Sequence, residues 1–388
     1  MPSELPLAYC ANVHPGDTWD EAVECLKRFA PAVRRRRGRV LGVGLWMSAR
    51  GLNQGMVDRQ RREHLADWLT SEQISVYTMN AFPFGNFHAD RVKQDVYRPD
   101  WTHSERANYT LQAAELLAQL LPPQADGSIS TLPLAYGGDH PPDKDLSIYH
   151  PLLISVARGL ATLRDQTGRN IRLAIEPEPA CVLETTEQVI AFFQSLWQST
   201  DGTKDAAAVR EHLGVCFDVC HQAVEFESIG SSLFLLEKNE VPIVKVHLSS
   251  AIELTDPHDD EARAELASFA EPRYLHQTYA LTPGGRILKR TDLSAEDALH
   301  PGPEWLDARA WRIHFHVPIH RAMMGRLATT RASLDEALLA LPRLSRMPHV
   351  EIETYTWGVL PGQSADLVDG LVRELESVDP TSSIEEKN

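Results

Sequence analysis

The sequence predicts a single α/β domain, a (β/α)₈ TIM barrel with an enlarged loop after strand seven. Two observations support this fold. Eight short β-rich segments alternate with segments whose apolar residues recur three and four positions apart, as in amphipathic helices. The first strand is not followed by the glycine-rich phosphate turn that an open doubly wound sheet usually carries there. The length of 388 residues is compatible with one large domain or two ordinary ones and does not by itself choose between them.

The predicted strands follow one another in chain order. They are 7–13, 40–46, 75–80, 128–134, 171–176, 214–218, 243–248 and 349–354. Helical patterns lie between them, among others at 105–121 and 154–166. An amphipathic segment from Trp19 to Val33 leads into the basic run 34–37, which is followed by Gly38. Cations near a helix C-terminus and glycine just beyond it predict a helix end. The alternative for the basic run is an anion or partner site.

The predicted domain extends over residues 1–378. Within it, the stretch 249–320 is rich in charged residues, proline and histidine. Its length after the seventh strand predicts an elaborated region at the catalytic mouth of the barrel rather than a second domain. The polar tail 379–388 is expected to be disordered.

Composition and charge narrow the class of protein. Hydrophobic residues make up 43% and charged residues 24%, as in ordinary globular proteins. We expect a cytoplasmic protein, because no apolar run of about 18 residues predicts a membrane span and the N-terminus lacks signal-peptide features. The net charge of −16 disfavours nucleic acid as a partner, since that binding depends on Lys and Arg. The five scattered cysteines do not form a disulfide framework, and structural thiols are favoured over a Cys216–Cys220 metal pair.

Four consecutive predicted strands end in acidic residues or histidine. Side chains alternate between the two faces of a strand, so the apolar set faces the helices and the polar set faces the barrel interior. The inward residues at the C-terminal strand ends are Glu176, Asp218, His247 and Glu353. Buried carboxylates repel one another, and a divalent cation with carboxylate and imidazole ligands relieves that repulsion. The pattern predicts a metal site; the alternative is a salt-bridge cluster with Arg172 and Lys245, which lie deeper on the same faces.

Further polar and aromatic residues near strand ends are candidates for substrate binding. His221 lies three residues after Asp218, where it binds a substrate oxygen or, in the alternative, caps a helix. The other candidates are Asn12, His14, Trp46, Asn80, His88 and Lys245. In the stretch RIHFHVPI, His314 and His316 alternate with apolar residues. The stretch is either an ordinary β-hairpin or a loop over the barrel, in which one histidine reaches the substrate or a second metal; the motif resemblance given below selects His316.

These motifs carry a family resemblance. The ordered set EPEP (176–179), CFDVCH (216–221), VHLS (246–249) and EIET (351–354) resembles the xylose-isomerase-like TIM-barrel superfamily. That superfamily contains sugar isomerases and epimerases and also nucleases of the endonuclease IV type. Within it, the stretches AYCANVHPGDTW, NAFPFGNFH, IEPEPACVLET, DVCHQAVEFE and RIHFHVPI are similar to the EboE family, named for metabolite traffic. The similarity runs from about Cys10 to Trp357.

The resemblance implies a set of roles. It implies metal ligation by Glu176, Asp218, His247 and Glu353, with His221 near the substrate. In the isomerases of the superfamily, the two glutamates also act on either side of the substrate carbon. The nuclease branch adds histidine ligands for a three-zinc cluster, for which the candidates here are His14, His88, His314 and His316. Their spacing differs from that of the nuclease motifs, which disfavours a three-zinc site.

The favoured function is isomerisation or epimerisation of a sugar-like or cyclitol-like polyol in a metabolite biosynthesis or traffic pathway. Glu176 and Glu353 are the expected acid/base pair, because proton removal beside a carbonyl needs a positioned base and a stabilised oxyanion. The expected cofactor is Mn²⁺ or Zn²⁺, with Mg²⁺ or Co²⁺ as alternatives. Two other functions stay open: phosphoester hydrolysis on the same ligands, and non-catalytic carriage of a metabolite. Nothing in the sequence specifies an oligomeric state.

Overall fold

The computed structural model describes residues 6–140, 145–362 and 366–379. The predicted disordered tail therefore lies outside the described residues, apart from Asp379. Counted along the chain, the first seven barrel strands are β1 (Ala8–Cys10), β2 (Leu41–Trp46), β3 (Ile74–Asn80), β4 (Gly127–Thr131), β5 (Ile171–Ile175), β6 (Leu213–Asp218) and β7 (Ile243–Leu248). Six strands of a second sheet intervene before the eighth barrel strand, β14 (His349–Ile352).

The barrel is closed and parallel. β1 pairs with β2 on one side and with β14 on the other, and the order around the barrel is β1-β14-β7-β6-β5-β4-β3-β2. Every barrel strand overlaps a predicted one. The predicted fold, a single (β/α)₈ TIM barrel, is confirmed.

The helices cover the outside of the barrel or belong to the insertion. They are α1 (Trp19–Arg37), α2 (Ala49–Met56), α3 (Arg59–Ser71), α4 (Ser104–Leu120), α5 (His150–Thr167), α6 (Thr186–Thr200), α7 (Ala206–His212), α8 (Val219–Val224), α9 (Ile229–Lys238), α10 (Asp260–Ala267), α11 (Ala295–Leu299), α12 (Pro303–Leu306), α13 (Arg331–Ala340) and α14 (Leu367–Ser377). Short 3₁₀ turns lie at Ala11–Val13, Lys93–Tyr97, Leu146–Tyr149, Leu341–Arg343 and Tyr355–Val359. The predicted helices 105–121 and 154–166 correspond to α4 and α5.

The basic run 34–37 forms the last turn of α1, as predicted. Gly38 follows in the left-handed conformation, with φ of 67°, and donates its backbone N–H to carbonyls of that turn. Two of the arginines also hold the C-terminal part of the chain. Arg36 pairs with Asp369 of α14, and Arg37 lies 2.6 Å from Asp379. The run therefore caps the helix and fastens α14 beside it.

One helical stretch, Leu146–Thr167, has the length and apolar composition of a membrane-crossing helix, although only 33% of its apolar window is buried. It contains α5, which packs against α4 and α7 in the outer layer of the barrel. Core helices of globular proteins pass the same test of length and composition. In this structure the stretch is an ordinary barrel helix.

The region after the seventh barrel strand is folded rather than irregular. It contributes β8 (Ile252–Leu254), β9 (Thr278–Leu281), β10 (Ile287–Arg290) and β11 (Ala310–Ile313), and the sheet continues with β12 (Met323–Met324) and β13 (Leu327–Thr329). All neighbouring strands of this sheet are antiparallel, in the order β10-β9-β11-β8-β13-β12. The sheet has its own hydrophobic cluster, which includes the fully buried Trp311 and Phe315. The sheet extends to Thr329, beyond the predicted stretch 249–320, and the sequence did not predict it.

A buried ion pair lies inside the barrel below the strand ends. Lys245 on β7 and Glu351 on β14 are fully buried, with Nζ 2.5 Å from Oε1. Burial by itself raises the pKa of Glu351, but the charges of Lys245 and His247 outweigh burial and lower it to about 2. Gly44 on β2 makes room for this carboxylate, because a Cβ there would lie 1.5 Å from Glu351 Oε2. Lys245, a predicted substrate-binding residue, thus contacts Glu351 rather than an open cavity.

The Lys245→Met substitution should lower the free energy of unfolding by about 3–5 kcal/mol, because it leaves the Glu351 carboxylate without its cation inside the barrel. Chemical denaturation followed by circular dichroism measures this change. Lys238→Met, which alters an exposed lysine, is the control and should change stability by less than about 0.5 kcal/mol. Equal denaturation midpoints for the two variants would contradict this account of the ion pair.

Candidate metal centre

Three carboxylates converge on one nitrogen of His247. Its Nδ1 lies 3.1 Å from Glu176 Oε1, 3.4 Å from Asp218 Oδ2 and 3.1 Å from Glu353 Oε2. The four potential ligand atoms all lie within 4.8 Å of one another, and all four residues are buried. We call this set, Glu176, Asp218, His247 and Glu353, the carboxylate–histidine centre. These are the four residues that the sequence predicts as metal ligands.

The second nitrogen of His247 fixes the orientation of the ring. Nε2 lies 2.9 Å from Glu351 Oε1. Because Lys245 and His247 keep Glu351 ionised, that carboxylate accepts a hydrogen bond, so Nε2 carries a proton and Nδ1 is directed at the three carboxylates. Burial by itself lowers the pKa of His247, but the negative groups around it outweigh burial and raise the pKa well above its usual range. The centre therefore demands positive charge at Nδ1, from a proton or from a metal ion.

Two carboxylate oxygens in the centre have no hydrogen-bond partner. Asp218 Oδ1 accepts from the backbone N–H of His221 at 3.0 Å, which begins α8, and from Ser249 Oγ at 2.7 Å. Its other oxygen, Oδ2, and Glu176 Oε2 are both buried and accept no hydrogen bond. Buried carboxylate oxygens without donors are costly unless a cation neutralises them. The donor set therefore fits a divalent cation bound by oxygen and imidazole ligands.

Asn12 and Asn80 hold Glu353. Each donates its side-chain N–H to Glu353 Oε1 at 2.8 Å. This leaves Glu353 Oε2 facing His247. Both asparagines also line the cavity above the centre, so they lie where the sequence predicted substrate-binding residues. Their contacts add a role that the sequence did not indicate, which is to orient a carboxylate.

Three histidines form a second cluster beside the centre. The ring Nδ1 of His221 lies 2.9 Å from the Pro177 carbonyl, and Nδ1 of His316 lies 2.8 Å from the Glu353 carbonyl. A carbonyl only accepts, so both Nδ1 atoms carry protons and a neutral ring presents a lone pair at Nε2. The Nε2 atoms of both residues lie 3.1 Å from Nε2 of His314. We call these three residues, His221, His314 and His316, the tri-histidine cluster.

The tri-histidine cluster also needs a positive charge. His314 Nδ1 lies 2.6 Å from Gln277 Oε1, so its Nε2 likewise presents a lone pair to its neighbours. Burial by itself lowers the pKa of His221, yet Asp218 and the nearby glutamates outweigh burial and raise it. Burial and the neighbouring histidines hold the pKa of His314 well below its usual range. A proton on His221 or a second cation relieves the repulsion among the three nitrogen atoms.

The structure separates other predicted site residues from the centre. His14 Nε2 lies 3.0 Å from the Tyr9 hydroxyl, and the ring stacks on Phe29, outside the cavity lining. His88 donates from Nε2 to the Asn12 carbonyl at 2.7 Å, and it does not line the cavity either. Trp46 packs against Phe87 in the wall of the mouth and donates its indole N–H to a carbonyl.

A cavity of about 50 Å³ lies above the centre. Its floor contains Glu176, Glu353 and His221, together with His314, which was not among the predicted substrate-binding residues. Glu178, the second acidic residue of the EPEP motif, was not among the predicted site residues either, and it accepts a hydrogen bond from the Tyr97 hydroxyl at 2.7 Å. Burial raises the pKa of Glu178 to about 7. The EPEP motif contained this signal, but strand alternation assigned only Glu176.

Comparisons with known proteins define the class of this fold. No family model matches the sequence, and no curated protein matches it. Among solved structures, a protein from Anabaena variabilis described as a candidate sugar phosphate isomerase/epimerase is similar, with 13% identity, a TM-score of 0.50 and 99% of each chain covered. The likeness to this solved structure shows the TIM-barrel fold.

Two further solved structures are similar at lower scores. A D-psicose 3-epimerase determined in the presence of D-fructose has 13% identity and a TM-score of 0.48, covering 96% of this chain and 97% of that one. The IolI protein with a binding zinc atom has 13% identity and a TM-score of 0.46, covering 96% of this chain and 98% of that one. The structural neighbours are thus xylose-isomerase-like TIM-barrel proteins.

Removal of one ligand of the carboxylate–histidine centre should abolish metal binding while the fold is retained. Elemental analysis of purified protein is expected to find at least one divalent ion per chain, reduced about tenfold or more in Asp218→Asn and in His247→Ala. Asp201→Asn and His300→Ala alter exposed residues and serve as matched controls. Circular dichroism checks the fold. Parental metal content in both centre variants would refute the site.

Proposed function

We propose that the protein is a divalent-metal-dependent isomerase or epimerase acting on a molecule with oxygen atoms on adjacent carbons, such as a sugar-like or cyclitol-like polyol. One observation carries the proposal. Glu176 and Glu353, which follow β5 and β14, each bring a carboxylate oxygen to 3.1 Å from His247 Nδ1. A substrate bound in the cavity next to His247 Nδ1 would lie between the carboxyl groups of Glu176 and Glu353, which are two potential acid/base groups.

The two glutamates have different environments, which supports different roles. Burial raises the pKa of Glu176, which favours its protonated form as the acid. Burial also acts to raise the pKa of Glu353, but the charge of His247 outweighs it and lowers the pKa, which favours the ionised base. Pairs of carboxyl groups with separated pKa values are a common arrangement for acid/base catalysis. Glu353 then accepts the carbon-bound proton, and Glu176 donates its own proton to the carbon; both glutamates regain their starting states by proton exchange with solvent.

A bound divalent ion would be held by the carboxylate–histidine centre and would stabilise negative charge on the substrate oxygens. Around it, Asn12 and Asn80 keep Glu353 oriented for proton transfer. His221 faces the cavity with Nε2, since its Nδ1 is committed to the Pro177 carbonyl. It is our candidate for binding a substrate oxygen.

Three further predictions stay part of this proposal. The sequence motifs found over the range from Cys10 to Trp357 support membership of the EboE metabolite-traffic family. The closed barrel supports treating residues 1–378 as one domain that includes the insertion. A cytoplasmic location rests on the sequence alone.

The tri-histidine cluster favours a second candidate, metal-dependent phosphoester hydrolysis. Hydrolases of this kind often use two ions about 3.5–4 Å apart. Asp218 lies between the two clusters: Oδ2 is 3.4 Å from His247 Nδ1, and Oδ1 is 3.9 Å from His221 Nε2. It is thus placed to bridge two ions. The number of bound ions separates the two candidates.

Deuterium exchange tests the isomerase proposal. Incubation of the metal-loaded protein with a pool of polyols and ketoses in deuterium oxide should introduce deuterium at one carbon, detected by mass spectrometry. Glu353→Gln should reduce this exchange about 10²–10⁴-fold even when it binds metal, because an amide cannot accept the proton. Glu115→Gln, an exposed substitution, should exchange like the parent. Exchange that survives in both Glu176→Gln and Glu353→Gln would refute the two-glutamate mechanism.

Metal stoichiometry tests the second candidate. The isomerase proposal expects one ion per chain, and hydrolysis expects two. In the second case, His314→Ala combined with His316→Ala should lower the count from two to one, because the tri-histidine cluster loses two of its three nitrogen donors. His300→Ala is the control. A count of one in the parent, unchanged in the double variant, excludes the two-ion hydrolase.

A further inference from the structure

Three aromatic rings from distant segments meet above the cavity. Phe87 belongs to the loop after β3, Tyr274 to the insertion, and Tyr355 to the turn after β14. Their ring centroids lie 4.9 Å apart for Phe87 and Tyr274, 5.1 Å for Phe87 and Tyr355, and 5.0 Å for Tyr274 and Tyr355. All three line the cavity and are buried. We call these three residues the aromatic roof.

The rest of the upper wall is also apolar. Phe82, Val92, Val96 and Leu275 line the cavity together with the aromatic roof. Several polar groups of the wall are already engaged: Tyr97 donates its hydroxyl to Glu178 at 2.7 Å, and the amide groups of Asn12 and Asn80 donate to Glu353. An acceptor without a partner, Asn12 Oδ1, lies beside Glu353 at the floor. A ligand with hydroxyl groups along its whole length would leave many of them without partners, which costs binding free energy.

The aromatic end of the cavity offers no free cation to an anionic ligand. Among the described residues that line the cavity, the lysine is Lys93, no arginine is present, and the histidines His221 and His314 lie at the floor. Lys93 Nζ is committed to Asp292 at 2.7 Å and to the Glu271 carbonyl at 2.9 Å. The floor carries the carboxyl groups of Glu176 and Glu353, which would be ligands of a bound ion. Phosphate recognition uses arginine, lysine or a helix N-terminus directed at the anion, and the aromatic end of the cavity leaves no such cation available.

We propose that the substrate is an uncharged molecule with adjacent oxygen atoms at one end and a flat aromatic ring at the other. The oxygen-bearing end faces the carboxylate–histidine centre, and the ring lies under the aromatic roof, where offset or edge-to-face contacts with Phe87, Tyr274 and Tyr355 are favourable. This assignment rests on the proposed function for the oxygen-bearing end. A free polyol lacks the ring that would contact the aromatic roof, and a sugar phosphate carries a charged group instead of that ring.

A series of three ligands with the same oxygen-bearing group tests the proposal. Hydroxyacetone, 2-hydroxyacetophenone and dihydroxyacetone phosphate each carry a ketone next to a hydroxymethyl group, and they differ by a methyl, a phenyl or a charged phosphate substituent. Isothermal titration calorimetry on Zn²⁺-loaded protein measures their affinities. The phenyl compound should bind about tenfold or more tightly than the methyl compound, because the ring is removed from water. The phosphate should bind no more tightly than hydroxyacetone.

Two substitutions in the loop after β3 distinguish an effect of the aromatic roof from a general effect on the fold. Phe87→Leu keeps an apolar side chain but removes a ring of the roof, and it should reduce the preference for phenyl over methyl about threefold or more. Phe84→Leu is the matched control, since Phe84 lies in the same loop and packs against Tyr109 outside the cavity lining. It should keep the parental preference. Equal preferences in parent, Phe87→Leu and Phe84→Leu would overturn the role of the roof.

Other outcomes overturn the proposal directly. Hydroxyacetone binding as tightly as 2-hydroxyacetophenone, or no heat from the phenyl compound at millimolar concentration, excludes the ring. Tighter binding of the phosphate than of hydroxyacetone excludes the uncharged substrate. Deuterium exchange separates this result from the proposed function. If the phenyl compound binds preferentially but no exchange occurs, the inference about the aromatic ring stands and the isomerase function is contradicted. If deuterium exchanges into a free polyol and the phenyl compound has no preference, the isomerase function stands and the aromatic ring is contradicted.

Discussion

The convergence of three buried carboxylates on one imidazole nitrogen is the constraint on which the rest of this structure depends. The carboxylate oxygens lie 3.1–3.4 Å from His247 Nδ1, where little water screens their repulsion. Lys245 and Glu351 lie directly beneath and hold the opposite nitrogen of the ring. These contacts fix the orientation of the His247 ring at the C-terminal end of β7. They also explain a glycine at position 44, where any Cβ would displace Glu351.

Above this centre the cavity changes character from charged to aromatic. The floor contains the ionisable groups, and the roof consists of rings contributed by the β3 loop, the insertion and the turn after β14. In the proposed function, the barrel supplies the chemistry, while the connections between its strands supply the shape that selects a ligand. The insertion is well suited to this role because its sheet and its own hydrophobic cluster give Tyr274 and His314 a rigid support.

The tri-histidine cluster links the floor to the insertion. His221 lies in the first turn of α8, which Asp218 caps, whereas His314 and His316 follow β11 in the second sheet. Each ring is oriented by a hydrogen bond that its Nδ1 donates. When the three rings are neutral, their Nε2 atoms therefore face one another with no proton between them. The cluster is therefore a second place where the fold favours a positive charge, from a proton on His221 or from a cation. The number of bound metal ions per chain, one or two, distinguishes an isomerase-like site from a hydrolase-like site.

The sequence by itself determined the barrel and the four residues of the carboxylate–histidine centre. Side-chain alternation has a period of two along a strand, so local order alone directs Glu176, Asp218, His247 and Glu353 inward. Only the tertiary structure decided that Lys245 pairs with Glu351, that Asn12 and Asn80 orient Glu353, that His314 joins His221, and that three rings roof the cavity. These contacts join segments far apart in the chain. Their geometry depends on how the strands close and how the insertion folds back over the mouth, which no local period records.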